Sequence, residues 1–309
     1  YFFTKTFVMN DVESLNAMAI MNDRKYTATG GAGFKSGYFY KILSPRLMPL
    51  HIIDNQSKKI DFGLKAHYIS VDALAFNSEG NILASGGRDF KMRGKTYLES
   101  LKDSISISPF DLNYNEFNAI KIWDIKNRKL TATFENRSPV RSIVFETHSD
   151  SLLFADDKKN IVLLDYRTNK AVKLQEGMGP LLFLPDDRSF LFQDQAYSIK
   201  QYDIEKKSII AEFKGHTDKI TSAVLIQNGQ RLVTGGWDGT LKFWDVLKGN
   251  EIVTLYAINT NDFLIKTPYN YYFATKTAVS ELGFTFVRKF YPFEQFDLKY
   301  NQTEPVRMQ

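Results

Sequence analysis

The strongest constraint on this chain is an internal repeat. The segments IKIWDIKNRKLTATF, IVLLDYRTNKAVKL, IKQYDIEKKSIIAEF and LKFWDVLKGNEIVTL are variants of one pattern: a strand, a turn opened by Asp, and a second strand. The shared Asp stands at 124, 165, 203 and 245, so copies recur every 38 to 42 residues. LHIIDNQSKKIDFGL puts Asp54 in the same role, one period plus an insertion of about 28 residues before Asp124. Between the copies lie VDALAFNSEGNILASGG, VRSIVFETHSDSLLFAD and ITSAVLIQNGQRLVTGG, each reading as two short apolar strands around a polar turn. Every unit therefore supplies four strands. A four-stranded sheet that is apolar on both faces cannot shield itself, so successive sheets must cover one another. No stretch outside the insertions sustains the i, i+3, i+4 apolar spacing of a helix.

The units resemble WD repeats over residues 10–258. The clearest copy runs from GHTDKI to FWD. In that family a loop His, a Ser or Thr of the second strand, a turn Asp and the Trp form a hydrogen-bonded tetrad. The resemblance places these at His216, Thr234, Asp238 and Trp244, and again at His67, Ser85, Asp89 and Trp123 once a long insertion is looped out. The other units are degenerate: Leu164 and Tyr202 stand where Trp belongs, Lys158 and Ala196 where the turn Asp belongs, and Gly33 fills that place in the first. Those blades are expected to rely on packing. The glycines of SGGRD and TGGWD are read as making the sharp turn after the second strand.

The resulting expectation is an all-β chain, a single β-propeller spanning 1–309 with six four-stranded blades, seven being the alternative and the family norm. A degenerate last blade and an aromatic tail occupy 259–309, and residues 1–9 (YFFTKTFVM) close the ring as an N-terminal strand, removing exposed edges. The tail FYPFEQFDLKYN reads as packing on the rim. A second reading is that TPYNYYFAT to YPFEQFDLKYN resembles a segment following WD repeats in large bacterial proteins that carry a caspase-like protease domain. That resemblance implies a sensing or scaffolding part of such an assembly.

Binding is expected on insertions at equivalent places in two consecutive blades, 34–49 and 90–118. Both are rich in the aromatic and cationic residues that anchor interfaces. Tyr38, Tyr40, Arg46, Arg93, Tyr97 and Phe110 are the candidates there. The plainer reading is that the insertions cover neighbouring blades. The family resemblance adds Arg88 and Trp237, each just before a tetrad Asp, on the same rim. Protein partners are expected.

Several chemistries are disfavoured. With no Cys in the chain, disulfides, thiolate metal sites and a cysteine nucleophile are excluded. This suits the cytosol, the favoured compartment, yet is equally safe in an oxidising space. A net charge of +5 without a run of five Lys or Arg gives no nucleic-acid tail. No apolar run spans a bilayer. Opening on Tyr1 without an initiator Met or a signal-peptide pattern, the sequence reads as a trimmed piece of a longer protein. GGAGFKSG lacks the Gly before Lys that a phosphate loop needs. His51, His67, His148 and His216 share no ligand spacing, so no metal or cofactor is expected. The alternative to a scaffold is a propeller enzyme with a channel site, for which the inner strands offer little beyond Asp72 and Arg141.

Overall fold

The computed structural model describes residues 14–32, 48–67, 69–92, 114–281, 283–286 and 289–292. The expected closing strand 1–9, most of both insertions, and the tail from 293 onward lie outside these, as do Gly33, Tyr38, Tyr40, Arg46, Arg93, Tyr97 and Phe110.

The described residues are almost entirely strand. Five four-stranded antiparallel units follow one another: β1 (Ser14–Ile20) to β4 (Lys59–His67) through β2 (Tyr26–Ala32) and β3 (Met48–Asp54); β5 (Ser70–Phe76), β6 (Ile82–Met92), β7 (Tyr114–Asp124) and β8 (Lys129–Asn136); β9 (Val140–Phe145), β10 (Ser151–Asp156), β11 (Asn160–Asp165) and β12 (Lys170–Glu176); β13 (Met178–Phe183), β14 (Ser189–Gln193), β15 (Ile199–Asp203) and β16 (Ser208–Phe213); and β17 (Ile220–Ile226), β18 (Arg231–Gly236), β19 (Thr240–Asp245) and β20 (Asn250–Ala257). Each is a meander, the first two joined into one eight-stranded sheet by the pairing of Ala32 with Ser70, and these antiparallel sheets are consistent with WD40 propeller blades. The chain divides into two compact units between Met178 and Gly179, so the first three blades fall in one and the last two in the other.

The recurring Asp is explained by its turn. Asp54, Asp124, Asp165, Asp203 and Asp245 each end a third strand and accept backbone N–H bonds from two or three residues on, at 2.7–2.9 Å. Four residues after each Asp, the backbone is left-handed (Lys58, Arg128, Asn169, Lys207, Gly249), which brings the chain back antiparallel. The turn N–H donors hold all five carboxyls below the usual range.

The cores lie between successive sheets. Leu50, Ile52 and Leu64 of the first blade meet Val71, Leu83 and Trp123 of the second. Ala84, Ile120 and Ile122 of the second meet Ile143, Leu152 and Phe154 of the third. In the other unit, Leu191, Ile199 and Phe213 meet Ile220, Leu232 and Trp244.

Two segments depart from expectation. β6 and β7 stay paired out to Met92↔Tyr114, so both ends of the 90–118 insertion form a strand ribbon instead of loop; the unbroken register lets the ladder run on. The stretch expected to build a further blade instead adds β21 (Phe263–Lys266) and β22 (Tyr272–Ala274) to the outer edge of β20. A helix α1 (Lys276–Glu281) and a separate hairpin, β23 (Gly283–Phe286) and β24 (Lys289–Pro292), follow. A short turn after β20 lets its edge be capped directly, with Ile258 N–H bonded to the Asp262 carbonyl at 2.9 Å. Among the described residues no helix is long and apolar enough to cross a membrane.

Fully buried Leu152 and half-exposed Val172, on the same third sheet, give a direct test of where stability resides. Leu152→Ala is expected to cost about 2–5 kcal/mol and Val172→Ala within about 0.5 kcal/mol, measured by urea unfolding.

Candidate functional site

A buried hydrogen-bond chain ties together the second blade, and another the fifth. In the second blade the indole Nε1 of Trp123 donates to Ser85 Oγ at 2.9 Å, Ser85 Oγ lies 3.0 Å from His67 Nε2, and His67 Nδ1 lies 3.0 Å from Asp89 Oδ2. The Asp89 carboxylate can only accept, so the neutral ring carries its proton on Nδ1 and Nε2 takes the Ser85 hydroxyl proton, that oxygen accepting in turn from the indole. The imidazole is then the Nδ1–H tautomer, donating to the carboxylate. In the fifth blade the same chain runs Trp244 to Thr234 (2.8 Å), Thr234 to His216 (2.7 Å) and His216 to Asp238 (2.8 Å). The structure thus brings together all eight residues assigned to tetrads.

Sequence reading missed the partners that complete each carboxylate. The Lys121 ammonium donates to Asp89 at 2.9 Å and to the Ala66 carbonyl at 2.6 Å. Asp238 accepts instead from the Thr240 hydroxyl and N–H and from the Thr217 N–H. Burial pushes the His67 imidazole below its ordinary value, so it is neutral. Burial alone would raise both carboxyls. The donors outweigh it, holding Asp89 below the usual range and Asp238 at about 2. A neutral His locked between a hydroxyl and a carboxylate has no free edge for a substrate.

The paired glycines have a different role from the one expected. Gly86 and Gly87 lie inside β6, and Gly235 and Gly236 inside β18; none of the four has a positive φ. A Cβ on Gly87 would sit 2.2 Å from the Ser70 carbonyl oxygen and 2.6 Å from the His67 ring, and one on Gly236 would sit 2.9 Å from His216 Nδ1. Gly87 and Gly236 admit the imidazole, whereas a Cβ on Gly86 would meet Val140 at 2.9 Å and one on Gly235 the Ser222 hydroxyl at 2.8 Å; none of the four turns the chain.

The degenerate blades do not depend on packing alone. Where Lys158 and Ala196 occupy the place of the turn Asp, a carboxylate two residues upstream takes over. Asp156 accepts the Asn160 N–H at 2.9 Å. Asp194 accepts the N–H groups of Ala196 and Ser198 at 2.8 and 3.0 Å and pairs with Lys200 at 3.2 Å. Packing contributes as well: Tyr202, in the Trp position, lies 5.3 Å from Phe190, and Leu164 joins the core between the second and third blades.

The end of the blades bearing the tetrad His loops carries the described candidates. Arg88 donates to Ser70 Oγ at 3.1 Å and lies 3.8 Å from Asp72. Arg141 lies 3.6 Å from Asp72 and grips Asp157 through two bonds of 2.7 Å; the Asp157 bond raises its pKa. The two channel-site candidates, Asp72 and Arg141, are therefore paired with each other and with further partners. In the other unit Trp237 is 69% exposed, its N–H fixed to the Lys219 carbonyl and the Lys219 ammonium 5.3 Å from its ring. Among the described residues no group of three His, Asp or Glu could hold a metal ion.

Gly87→Ala is expected to lower stability by about 1–3 kcal/mol through overpacking, read from urea midpoints. Asp238 supplies a pH test. Its folded pKa of about 2 lies below the unfolded value of about 3.9, so its contribution is complete above about pH 4 and is lost as pH falls toward 2. The stability gap between wild type and Asp238→Asn should narrow across that window; a constant gap would contradict the assignment.

Residues 58–93 and 207–245 match the family model described as WD domain, G-beta repeat. WD repeat-containing protein srw1 of Schizosaccharomyces pombe is 26% identical over 59% of this chain and 29% of its own length. Eukaryotic translation initiation factor 3 subunit I of Bombyx mori is 23% identical over 59% of this chain and 64% of that protein. Mitotic checkpoint protein bub3 of Dictyostelium discoideum is 27% identical over 45% and 44%. The chain spans less than two thirds of each of these relatives. All three are eukaryotic, so the expectation of a bacterial source finds no support in them. The matched segments hold all of one tetrad and three members of the other. Repeat period, tetrad geometry and these matches agree that residues 58–93 and 207–245 are similar to WD repeats.

Proposed function

We propose that this chain is a non-catalytic protein-interaction scaffold that binds through the turn presenting Trp237. The observation that carries the reading is Trp237: a large aromatic held 69% in water on a turn whose backbone is fixed on both sides. Exposed aromatics on rigid supports are characteristic interface anchors. Arg88 is the corresponding residue of the second blade. Tyr38, Tyr40, Arg46, Arg93, Tyr97 and Phe110, on the two insertions and outside the described residues, are proposed as further contacts.

Two further points favour a scaffold over a channel enzyme. Asp72 and Arg141 neutralise one another and their neighbours, leaving neither as a poised acid or base. The names of the relatives, a translation factor subunit and a checkpoint protein among them, describe members of larger systems. On the same reading the chain is the regulatory part of a larger assembly. The resemblance of its C-terminal segment to that of proteins with a caspase-like protease domain supports a protease-containing one. The chain has no Cys of its own to supply that activity.

Affinity capture from native extract tests the proposal, using wild type, Trp237→Ala, and a chain in which residues 93–113 are replaced by a short Gly-Ser turn. At least one captured protein should fall about tenfold or more with one of the variants, the loss expected for a hot-spot residue. Equal capture of the same proteins by all three would refute binding through these residues.

A further inference from the structure

At the opposite end of the first two blades, away from Arg88, the structure holds a second built site. The turn joining β1 to β2, the turn joining β5 to β6 and the turn joining β7 to β8 enclose a cleft of about 350 Å³, at the small end of the range of roughly 300–1,000 Å³ usual for ligand pockets. Its floor is apolar, made by the largely buried side chains of Met21 and Ile125. The three turns are laced together. Asn22 Nδ2 donates to the Ser78 carbonyl at 3.1 Å, Ile125 N–H to the Asn81 carbonyl at 3.0 Å, and Asn77 Nδ2 to Asn81 Oδ1 at 2.7 Å. The cleft is thus fixed before any ligand arrives. The left-handed Gly80 (φ +72°) lies against Met21, and a Cβ there would sit 2.4 Å from the Met21 Cε.

The walls decide what fits. The Arg128 guanidinium lies 4.3 Å from the centre of the Phe62 ring and the Lys25 ammonium 5.1 Å from that of Tyr26, so each aromatic already carries a cation. Lys126 adds a third positive group to the lining. Among the described residues neither Lys25 nor Lys126 has a carboxylate within ion-pair distance, whereas Asp61 lies 3.8 Å from Arg128 and Glu79 accepts from the Asn81 amide. The lining therefore offers an apolar floor ringed by cations, with two carboxylates already engaged.

From this we infer that the cleft between the first and second blades binds an extended segment of a partner protein, seating one aliphatic side chain on Met21 and Ile125 and placing adjacent Asp or Glu carboxylates against Lys25, Lys126 and Arg128. A nucleotide or polyphosphate fits less well. The ring positions a base would stack on are taken by cations, and Asp61 and Glu79 would repel a dense anion. The site shares no residue with the surface proposed above and stands or falls independently of it.

The test is selection of a phage-displayed random heptapeptide library on the full chain, followed by fluorescence polarisation with the labelled winners. Enriched peptides should place Leu, Ile, Val or Met beside Asp or Glu. Their affinity should fall about tenfold or more for Lys126→Glu/Arg128→Glu, whose side chains lie on the surface, and be unchanged for Trp237→Ala. Urea unfolding of the double variant verifies that it folds, and peptides with Asp and Glu changed to Lys should bind the double variant better than they bind wild type. No enrichment, enrichment of basic peptides, affinities indifferent to the double variant, or displacement of the winners by ATP at equal concentration would each overturn the inference.

Discussion

The constraint on which the rest depends is that each four-stranded sheet carries apolar side chains on both faces and has no means of covering them alone. Fully buried Leu50, Ile52, Leu83 and Leu152 lie in the layers between sheets, each contributing about 1.5–3 kcal/mol relative to exposure. A typical hydrogen bond adds a net of only about 0.5–1.5 kcal/mol. Packing between sheets therefore supplies the stability. The Trp–hydroxyl–His–Asp chains do something packing cannot: they require one rotation of the outer strands and one path for the His loop, because any other would leave buried donors and acceptors without partners.

That division of labour explains why the blades can differ so much in sequence. The second and fifth keep the whole chain of polar residues, and the third and fourth have lost the His and the Trp. What every blade keeps is a carboxylate that closes the turn between its third and fourth strands. Where the turn before the third strand lacks its usual Asp, Asp156 or Asp194 reaches it from two residues upstream. Turn N–H groups need an acceptor, and an Asp side chain reaches from more than one position. Blade geometry is thus conserved by function of the atoms, not by identity at a column.

This also shows what the sequence could and could not reveal. The period, the five capping Asp residues and both tetrads were legible because each requires a residue type at a fixed spacing. The shifted Asp156 and Asp194 were not, because a position-by-position comparison asks what stands at 158 and 196 and never what reaches there. Lys121 was hidden for another reason: in IKIWD it looks like an exposed strand Lys, and only the fold reveals that its ammonium ends on Asp89. The paired glycines were visible, but the role of Gly87 and Gly236 was not, since close approach of a ring from another segment leaves no local mark. Attachment of β21 and β22 to β20 likewise follows from edge geometry that three strand-like runs do not encode.

The exposure of Trp237 follows from the same buried bonds. A Trp with most of its surface in water would ordinarily gain by folding back onto the nearest apolar surface. Here the following residue, Asp238, is held by His216, Thr217 and Thr240, and the Trp237 N–H is itself bonded to Lys219. Moving the turn enough to bury the indole would break several of these at once, and each buried group left unpaired costs about 1–3 kcal/mol, as much as the burial would return. The anchoring that makes the blade rigid is therefore also what keeps the aromatic exposed, so the stability of the turn and the exposure of the indole come from one set of contacts.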